Sequence, residues 1–217
     1  MKLLTVGDSF TYGEELSDRN SAWPQLLANK LNYELVNLGR PSASNDKIVR
    51  NTLDYLATDT VDLVVIGWSN IGRSEHADEF GYYDVWPGYQ GNLFVQDGCT
   101  WRTELVDYVS RYHSAEAIHR KFIQQVILLQ SYLQARGIKY VMLNIVQNEY
   151  YKKKHFDGKQ QFFDQVDKEK FLGFNETGMM EWTYGKPQGP GGHFLDEGHQ
   201  IVANRIYEHI RHLSWIP

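Results

Sequence analysis

The chain has 217 residues, of which 42% are hydrophobic, so it is long enough for one α/β domain with one sizeable core. Its net charge of −5, with acidic and basic residues interspersed, excludes a general nucleic-acid-binding or anionic-membrane surface, and the lone Cys99 excludes an intrachain disulfide. We see no signal-peptide pattern and no apolar run of the about 20 residues that span a bilayer, which predicts a cytoplasmic protein with no visible targeting signal.

The first predicted element is a short apolar strand, residues 3–6, that breaks at once into Gly7, Asp8 and Ser9. A buried strand that ends in small residues leaves its last side chains at the sheet edge where open α/β sheets bind their ligands. Ser9 is therefore expected just beyond that edge, with its hydroxyl and its N–H facing the crevice. The simpler interpretation is a strand, a turn and a helix cap, since serine and aspartate are common at N-caps. Asp8 is expected to hold this turn.

Strands and helices alternate along the rest of the chain. The further predicted strands are residues 33–38, 62–66 and 138–146. Two helices are predicted to begin after Ser21 and Ser44, which serve as their N-caps. A third helix is predicted for residues 114–136, with Gly137 at its C′ position, and a fourth for residues 196 to about 213. This alternation predicts the α/β class: a three-layer α/β/α sandwich around a flavodoxin-like parallel sheet of about five strands, in a single domain covering 1–217.

Two stretches, at about 72–113 and 147–192, lose this periodicity and carry many aromatic residues among glycines and acids. A structureless stretch of that length is uncommon in a compact domain unless it has a function. Both follow the carboxyl ends of predicted strands, so they are expected to project over the site as irregular insertions. We hypothesise that four aromatic residues line a carbohydrate cleft, because tyrosine and tryptophan offer flat amphipathic faces; they are Tyr82, Tyr83, Trp86 and Tyr89. The alternative is that the aromatics pack the insertions onto the domain.

Four short blocks, in order along most of the chain, resemble the SGNH (GDSL-like) hydrolases, which are α/β/α esterases with a shallow site at the strand ends. Gly7-Asp8-Ser9-Phe10 is similar to the nucleophile block, and the resemblance implies Ser9 as the nucleophile. Asn37-Leu38-Gly39 is similar to the second block, whose glycine N–H lines the oxyanion hole. The family often has a further glycine a few residues on, where this chain has Ser42.

The third block is matched more loosely by Gly67-Trp68-Ser69-Asn70, in which the asparagine stands one place late. Asn70 is nevertheless the only asparagine close to the end of that predicted strand, and Ser69 is the fallback. The resemblance therefore implies an oxyanion hole formed by Ser9, Gly39 and Asn70. Such donors are needed about 3 Å from the oxygen that becomes negative during acyl transfer.

The fourth block, an aspartate followed after two residues by the catalytic histidine, fits in two registers. Asp196-Glu197-Gly198-His199 satisfies the spacing literally. In the other register the glycine–histidine pair opens the last helix, and the catalytic position falls on His193. A loop before a helix can be aimed freely at the serine, whereas His199 is held by the helix backbone. His193 is therefore the preferred base, and His199 with Asp196 is the alternative.

The preferred register puts Pro190 where the family has its acid, so the group that orients His193 is missing from its expected place. That acid fixes the tautomer of the imidazole and supports the imidazolium. Asp196, another carboxylate or a backbone carbonyl is expected to replace it, and a Ser–His dyad is the remaining possibility.

These residues predict a serine esterase that hydrolyses small acyl esters, with O-acetyl carbohydrates as the candidate class. The alternative is a weakly active or inactive relative that binds glycans or serves a structural assembly, and a transferase that passes the acyl group to a sugar is a third interpretation. No histidine pair has metal-ligand spacing beside a third ligand, and no phosphate-binding glycine loop is present. We therefore expect no metal, no cofactor, no nucleic acid and no membrane among the partners of this chain.

Overall fold

A computed structural model describes residues 1–79, 81–86, 111, 114–146, 160–174 and 176–216 of the chain. Its strands are β1 (Lys2–Val6), β2 (Glu34–Asn37), β3 (Leu63–Trp68), β4 (Ser74–Asp78), β5 (Gly81–Val85), β6 (Lys139–Asn144) and β7 (Phe171–Leu172). Its helices are α1 (Ser9–Tyr12), α2 (Trp23–Leu31), α3 (Asn45–Thr58), α4 (Ala115–Ala135), α5 (Gln160–Phe163), α6 (Met179–Trp182) and α7 (Asp196–His212). None of the helices in these ranges is long and apolar enough to cross a membrane.

The central sheet has five strands in the order β2-β1-β3-β6-β7, and every pairing in it is parallel. This is the flavodoxin-like order, in which the direction of winding reverses between β1 and β3. Ligands of such sheets bind outside the carboxyl ends of the strands at that reversal. The predicted fold class is confirmed, and the segment that follows β1 lies at the expected place for a site.

Helices cover both faces of the sheet, because successive residues of a strand point to opposite sides. Leu4 and Val6 of β1 pack into one core with α3 and α4. Leu3 packs into a second core with α2, α6 and α7. All six residues of β3 are buried, as a strand covered on both faces requires. The result is the three-layer sandwich that the sequence predicts.

Two of the predicted caps are confirmed and one is wrong. The Ser44 hydroxyl accepts the Lys47 N–H at 3.2 Å at the start of α3, and Gly137 after α4 has a φ of +67°. Ser21 instead lies in a short 3₁₀ turn, and α2 begins without a side-chain cap. Its Trp23 N–H donates to the imidazole of His199 at 3.1 Å, so a distant residue satisfies the helix end that a local cap would otherwise serve.

The two stretches predicted to be irregular contain regular structure, which corrects that interpretation. The first holds the antiparallel hairpin β4–β5, and the second supplies β7, the fifth strand of the sheet. β4 is polar and is held to α3 by charge: Arg50 contacts both carboxylate oxygens of Glu75 at 2.8 Å. Neither a polar edge hairpin nor a strand of two residues has the apolar alternation by which strands are recognised in a sequence.

Candidate active site

Ser9 is the first residue of α1 and follows β1 at the point where the winding of the sheet reverses. The Asp8 side chain caps this short helix by accepting the Phe10 N–H at 3.0 Å. Ser9 is 4% exposed. Within the described ranges its N–H has no acceptor, because the first residues of a helix lack an intrahelical partner. The hydroxyl and a free N–H of one residue thus lie side by side.

Asp8 holds the turn, as predicted, through a buried network. Its second carboxylate oxygen accepts the Ser69 hydroxyl at 2.8 Å and the Arg73 guanidinium at 3.0 Å. The bond between Asp8 and Ser69 connects the segments that follow β1 and β3, at the point where the direction of winding reverses. The Ser69 hydroxyl, the fallback oxyanion donor, therefore already donates its hydrogen bond to Asp8. This bond fixes the loop that carries Asn70.

The imidazole of His193 lies between Ser9 and a carboxylate. Its Nε2 is 2.9 Å from the Ser9 Oγ, and its Nδ1 is 2.8 Å from an oxygen of Glu15. The ring also packs on Phe10, with 4.7 Å between centroids, and this contact limits its movement. Three groups in hydrogen-bond sequence make up the arrangement that activates a serine hydroxyl.

Glu15 is a carboxylate that the sequence analysis did not single out. It accepts the Gly191 N–H at 2.6 Å and the His193 N–H at 3.0 Å in addition to the ring. These bonds, the one from Gly191 first, lower the pKa of Glu15 below its usual value, against the effect of its burial. An ionised acceptor at Nδ1 fixes the proton there and leaves the Nε2 lone pair aimed at Ser9.

The glycine-rich loop before His193 is shaped around the Glu15 carboxylate. A Cβ on Gly189 would lie 2.6 Å from the Glu15 Cδ, and one on Gly191 would lie 3.1 Å from a carboxylate oxygen. Glu15 itself has a φ of +66°, a left-handed backbone that costs a non-glycine residue about 1 kcal/mol or more. Such strain at a residue that contacts the imidazole is typical of functional sites.

Glu15 and His193 are 178 residues apart, so no spacing pattern connects them. The available signals were indirect. Two adjacent carboxylates, Glu14 and Glu15, follow the nucleophile block after three residues, and the distant loop is rich in glycine. The carboxylate in contact with the imidazole thus comes from the opposite end of the chain and not from position 190.

The alternative base and acid lie elsewhere. His199 is 1% exposed, its Nδ1 accepts the Trp23 N–H, and its ring packs on Phe194 with 4.6 Å between centroids. Asp196 is exposed in the first turn of α7. Both ring nitrogens of His193 are already occupied by Ser9 and Glu15. The structure therefore brings His193, and neither His199 nor Asp196, into hydrogen-bond contact with Ser9.

His199 makes stability depend on pH. Burial lowers its pKa from 6.5 to about 4, so the folded protein keeps it neutral where the unfolded chain protonates it. Stability is therefore lost as pH falls from about 6.5 toward 4, by roughly 3 kcal/mol in all. Urea unfolding should show that wild type loses up to about 2 kcal/mol more than His199→Asn between about pH 7 and pH 5. Equal losses in the two proteins would contradict this prediction.

The predicted oxyanion donors differ in availability. The Gly39 N–H donates to the Asn37 side-chain oxygen at 2.9 Å, so it is already used, contrary to the role expected for it. Asn37 also donates to the Thr11 carbonyl at 3.0 Å and thereby ties the end of β2 to α1. Asn70 accepts the Gly72 N–H at 2.8 Å through its oxygen, and within the described ranges its amide NH₂ has no partner. The donors left are the Ser9 N–H and the Asn70 amide.

Ser42 stands where the SGNH-like sequences that this chain resembles often have a further glycine, and its backbone conformation is one that glycine adopts readily. Its φ is +60°, in the left-handed region that glycine adopts without strain. The backbone conformation is thus retained in this chain with a residue that carries a Cβ.

Three of the four aromatic residues predicted to line a carbohydrate cleft lie in the described part of the chain. Tyr83 is 7% exposed and belongs to the interior, which corrects its assignment to the cleft. Tyr82 lies under the guanidinium of Arg50, 4.1 Å from the ring centroid. Trp86 lies under that of Arg73 at 4.4 Å. Tyr89 is outside the described residues.

A cleft of about 710 Å³ instead opens beside Glu15, at the β2 edge of the sheet. It lies between the segment that follows α1, the loop after β2 and one face of α3, and it is lined by Tyr12, Gly13, Glu14, Glu15, Leu16, Arg19, Leu38, Arg40, Pro41, Lys47, Asn51, Asp54 and Tyr55. Its volume falls in the range of small-molecule sites. In the part of the chain that the structure describes, no three histidine, cysteine or acidic side chains are grouped to hold a metal ion.

Comparison with known proteins gives a family. A family model described as a family of unknown function (DUF6071) matches residues 11–217, nearly the whole chain. The chain belongs to this family. No curated protein matches the sequence. The family match begins just after Ser9, so it does not itself include the residue around which this site is built.

Solved structures share the fold of this DUF6071 protein. A protein described as lipolytic and of the G-D-S-L family, from Desulfitobacterium hafniense DCB-2, is 14% identical with a TM-score of 0.53 over 96% of this chain and 98% of its own. The psychrotrophic esterase EstA from Pseudoalteromonas sp. is 13% identical with a TM-score of 0.57 over 99% of both chains. The acetyl xylan esterase AlAXEase is 16% identical with a TM-score of 0.51 over 97% of this chain and 100% of its own. At such identities the likeness establishes the fold.

Proposed function

We propose that this protein is a carboxylic-ester hydrolase with Ser9 as nucleophile, His193 as base and Glu15 as the orienting acid. The observation that carries the proposal is the continuous chain of contacts from the Ser9 Oγ through both nitrogens of His193 to an ionised Glu15. The esterases among the structures of the same fold support the same reaction class.

The geometry allows each proton of the reaction to be followed. His193 Nε2 takes the Ser9 proton as Oγ attacks the carbonyl carbon, and Glu15 stabilises the resulting imidazolium. The Ser9 N–H and the Asn70 amide stabilise the oxyanion. His193 Nε2–H then protonates the leaving alcohol as the acyl–oxygen bond breaks, leaving an ester on Ser9. Water that gives a proton to His193 attacks that ester, and Ser9 recovers its proton as the carboxylic acid leaves.

We propose O-acyl, in particular O-acetyl, carbohydrates as the substrate class. Acetyl xylan esterase is the activity named for one structure of the same fold, and the cleft beside Glu15 is lined mainly by polar side chains. The contrasting interpretation as an inactive glycan-binding protein rests on the late position of Asn70 and on the absence of an acid at Pro190, and only the second point is addressed by Glu15. Glu15 occupies that position on the imidazole, so this support is removed.

Covalent trapping tests the reaction independently of the substrate. A fluorophosphonate transfers its phosphonyl group to an activated serine oxygen and releases fluoride, so it should add one phosphonyl group per chain, located at Ser9 by peptide mass spectrometry. The wild type should also hydrolyse 4-nitrophenyl acetate. The fraction of this activity that is lost should equal the fraction of chains labelled at Ser9. Labelling at other serines, or undiminished hydrolysis after complete labelling of Ser9, would overturn the proposal.

A further inference from the structure

The cleft at the β2 edge adjoins the reacting atoms at Glu14, while Ser9 and His193 lie just outside its lining. Glu14 lines the cleft, and its carboxylate lies 3.6 Å from His193 Nε2. Nε2 is the atom that protonates the leaving alcohol in an acyl transfer of this kind. The cleft therefore borders the atom that would protonate the departing alcohol of an ester.

The far wall of the cleft is a polar face of α3. Lys47, Asn51, Asp54 and Tyr55 lie on this face at helical spacing. The opposite face of α3, with Ile48 and Leu56, is buried in the core. Tyr55 also packs against this core, and the polar groups of this face that border the cleft can form hydrogen bonds with a ligand.

Some of these groups are already engaged and others are available. Lys47 is paired with Asp84 at 2.5 Å. Asn51 is half-buried, and its amide has no hydrogen-bond partner in the described part of the chain. Arg40 is exposed, and among the described residues its guanidinium bonds only to the Gly39 carbonyl at 3.4 Å. The cleft thus offers an acceptor at Glu14, a group that both donates and accepts at Asn51, and a donor at Arg40.

We propose that this cleft is the leaving-group subsite of the esterase, that it takes a hydroxyl-rich alcohol of carbohydrate type, and that Glu14 disfavours alcohols that carry a negative charge next to the leaving oxygen. This inference rests on the proposed function. A hydroxyl group both donates and accepts, so sugars match a wall that mixes both kinds of group. An apolar chain would gain little here, because it would desolvate the available polar groups without replacing their hydrogen bonds. Arg19 and Arg40 also line the cleft, so it is a negative charge next to the leaving oxygen, and therefore next to His193 Nε2, that would lie close to the Glu14 carboxylate.

The first test separates the subsite from the chemistry through Asn51. The loss of one or two hydrogen bonds in Asn51→Ala should raise KM for acetylated xylotetraose about fivefold, with kcat/KM for 4-nitrophenyl acetate within about twofold of wild type. Asn29→Ala, an exposed asparagine on α2 at the opposite face of the sheet, is the matched control and should change neither. An unchanged KM, or an equal change for both substrates, would overturn the assignment.

The second test reverses the charge selectivity. Glu14→Gln should raise kcat/KM for acetylated tetragalacturonate relative to acetylated xylotetraose by roughly fivefold, an effect that falls as salt is added. Glu208→Gln, at the far end of α7, is the control for a lost surface charge. An unchanged ratio would overturn the role of Glu14.

Binding to an inactive variant keeps the subsite testable if the esterase proposal fails. Ser9→Ala should bind acetylated xylotetraose in calorimetry, and Ser9→Ala with Asn51→Ala should bind it about fivefold more weakly. Equal binding by the two variants would contradict the subsite. Failure of Ser9 to react with the fluorophosphonate would contradict the hydrolase alone.

Discussion

Replacing Ser9 by alanine is expected to lower kcat for 4-nitrophenyl acetate by about 10⁴-fold, because no other group can form the acyl-enzyme. His193→Ala should have an effect of the same size, since without Nε2 the hydroxyl at 2.9 Å keeps its proton. The two residues act as a unit, so the double variant should be no slower than either single variant. Steady-state rates of the purified variants give the comparison.

The control for this prediction is Ser131→Ala, which removes an exposed hydroxyl on α4 that donates to the Ile127 carbonyl at 2.7 Å. Its rate should match that of wild type. Near-ultraviolet circular dichroism should verify that the Ser9 and His193 variants retain their fold. A folded Ser9→Ala protein that hydrolyses the ester at the wild-type rate would exclude the proposed mechanism.

Glu15→Gln is expected to lower kcat by about 10²- to 10⁴-fold. The neutral amide cannot stabilise the imidazolium. Its NH₂ group can also donate to Nδ1, which favours the tautomer whose proton is on Nε2 and leaves no lone pair there to accept the Ser9 proton. Glu15 also accepts two backbone N–H groups from the glycine-rich loop, so Glu15→Gln should lower the melting temperature as well. The kcat of the folded variant, measured well below its melting temperature, isolates the electrostatic effect.

Two further carboxylates provide matched controls for Glu15. Glu208→Gln removes an exposed charge near the far end of α7, and Asp196→Asn removes the acid that the literal spacing of the fourth block favours. On a small neutral ester both should stay within about threefold of wild type. A full loss of activity in Asp196→Asn beside an active Glu15→Gln would move the acid to the start of α7.

The sequence indicates the features that short-range physics encodes. The apolar run of β3, the cap at Ser44 and the left-handed glycine at 137 each depend on residues within a few positions, and the structure has all three. Their alternation was sufficient to predict the three layers and the parallel sheet. Polar or very short elements carry no such pattern, and for this reason the β4–β5 hairpin and β7 were not predicted.

The site divides in the same way. The sequence by itself determined that Ser9 follows the first strand in a turn held by Asp8, because a buried strand, a break and a cap are local features. Only the tertiary structure decided that the Glu15 carboxylate contacts His193, that the Gly39 N–H donates to the Asn37 side chain, and that the cleft lies beside α3. These contacts join segments that the packing of helices on both faces of the sheet brings together. The spacing of residues along the sequence does not indicate which distant side chains will be in contact.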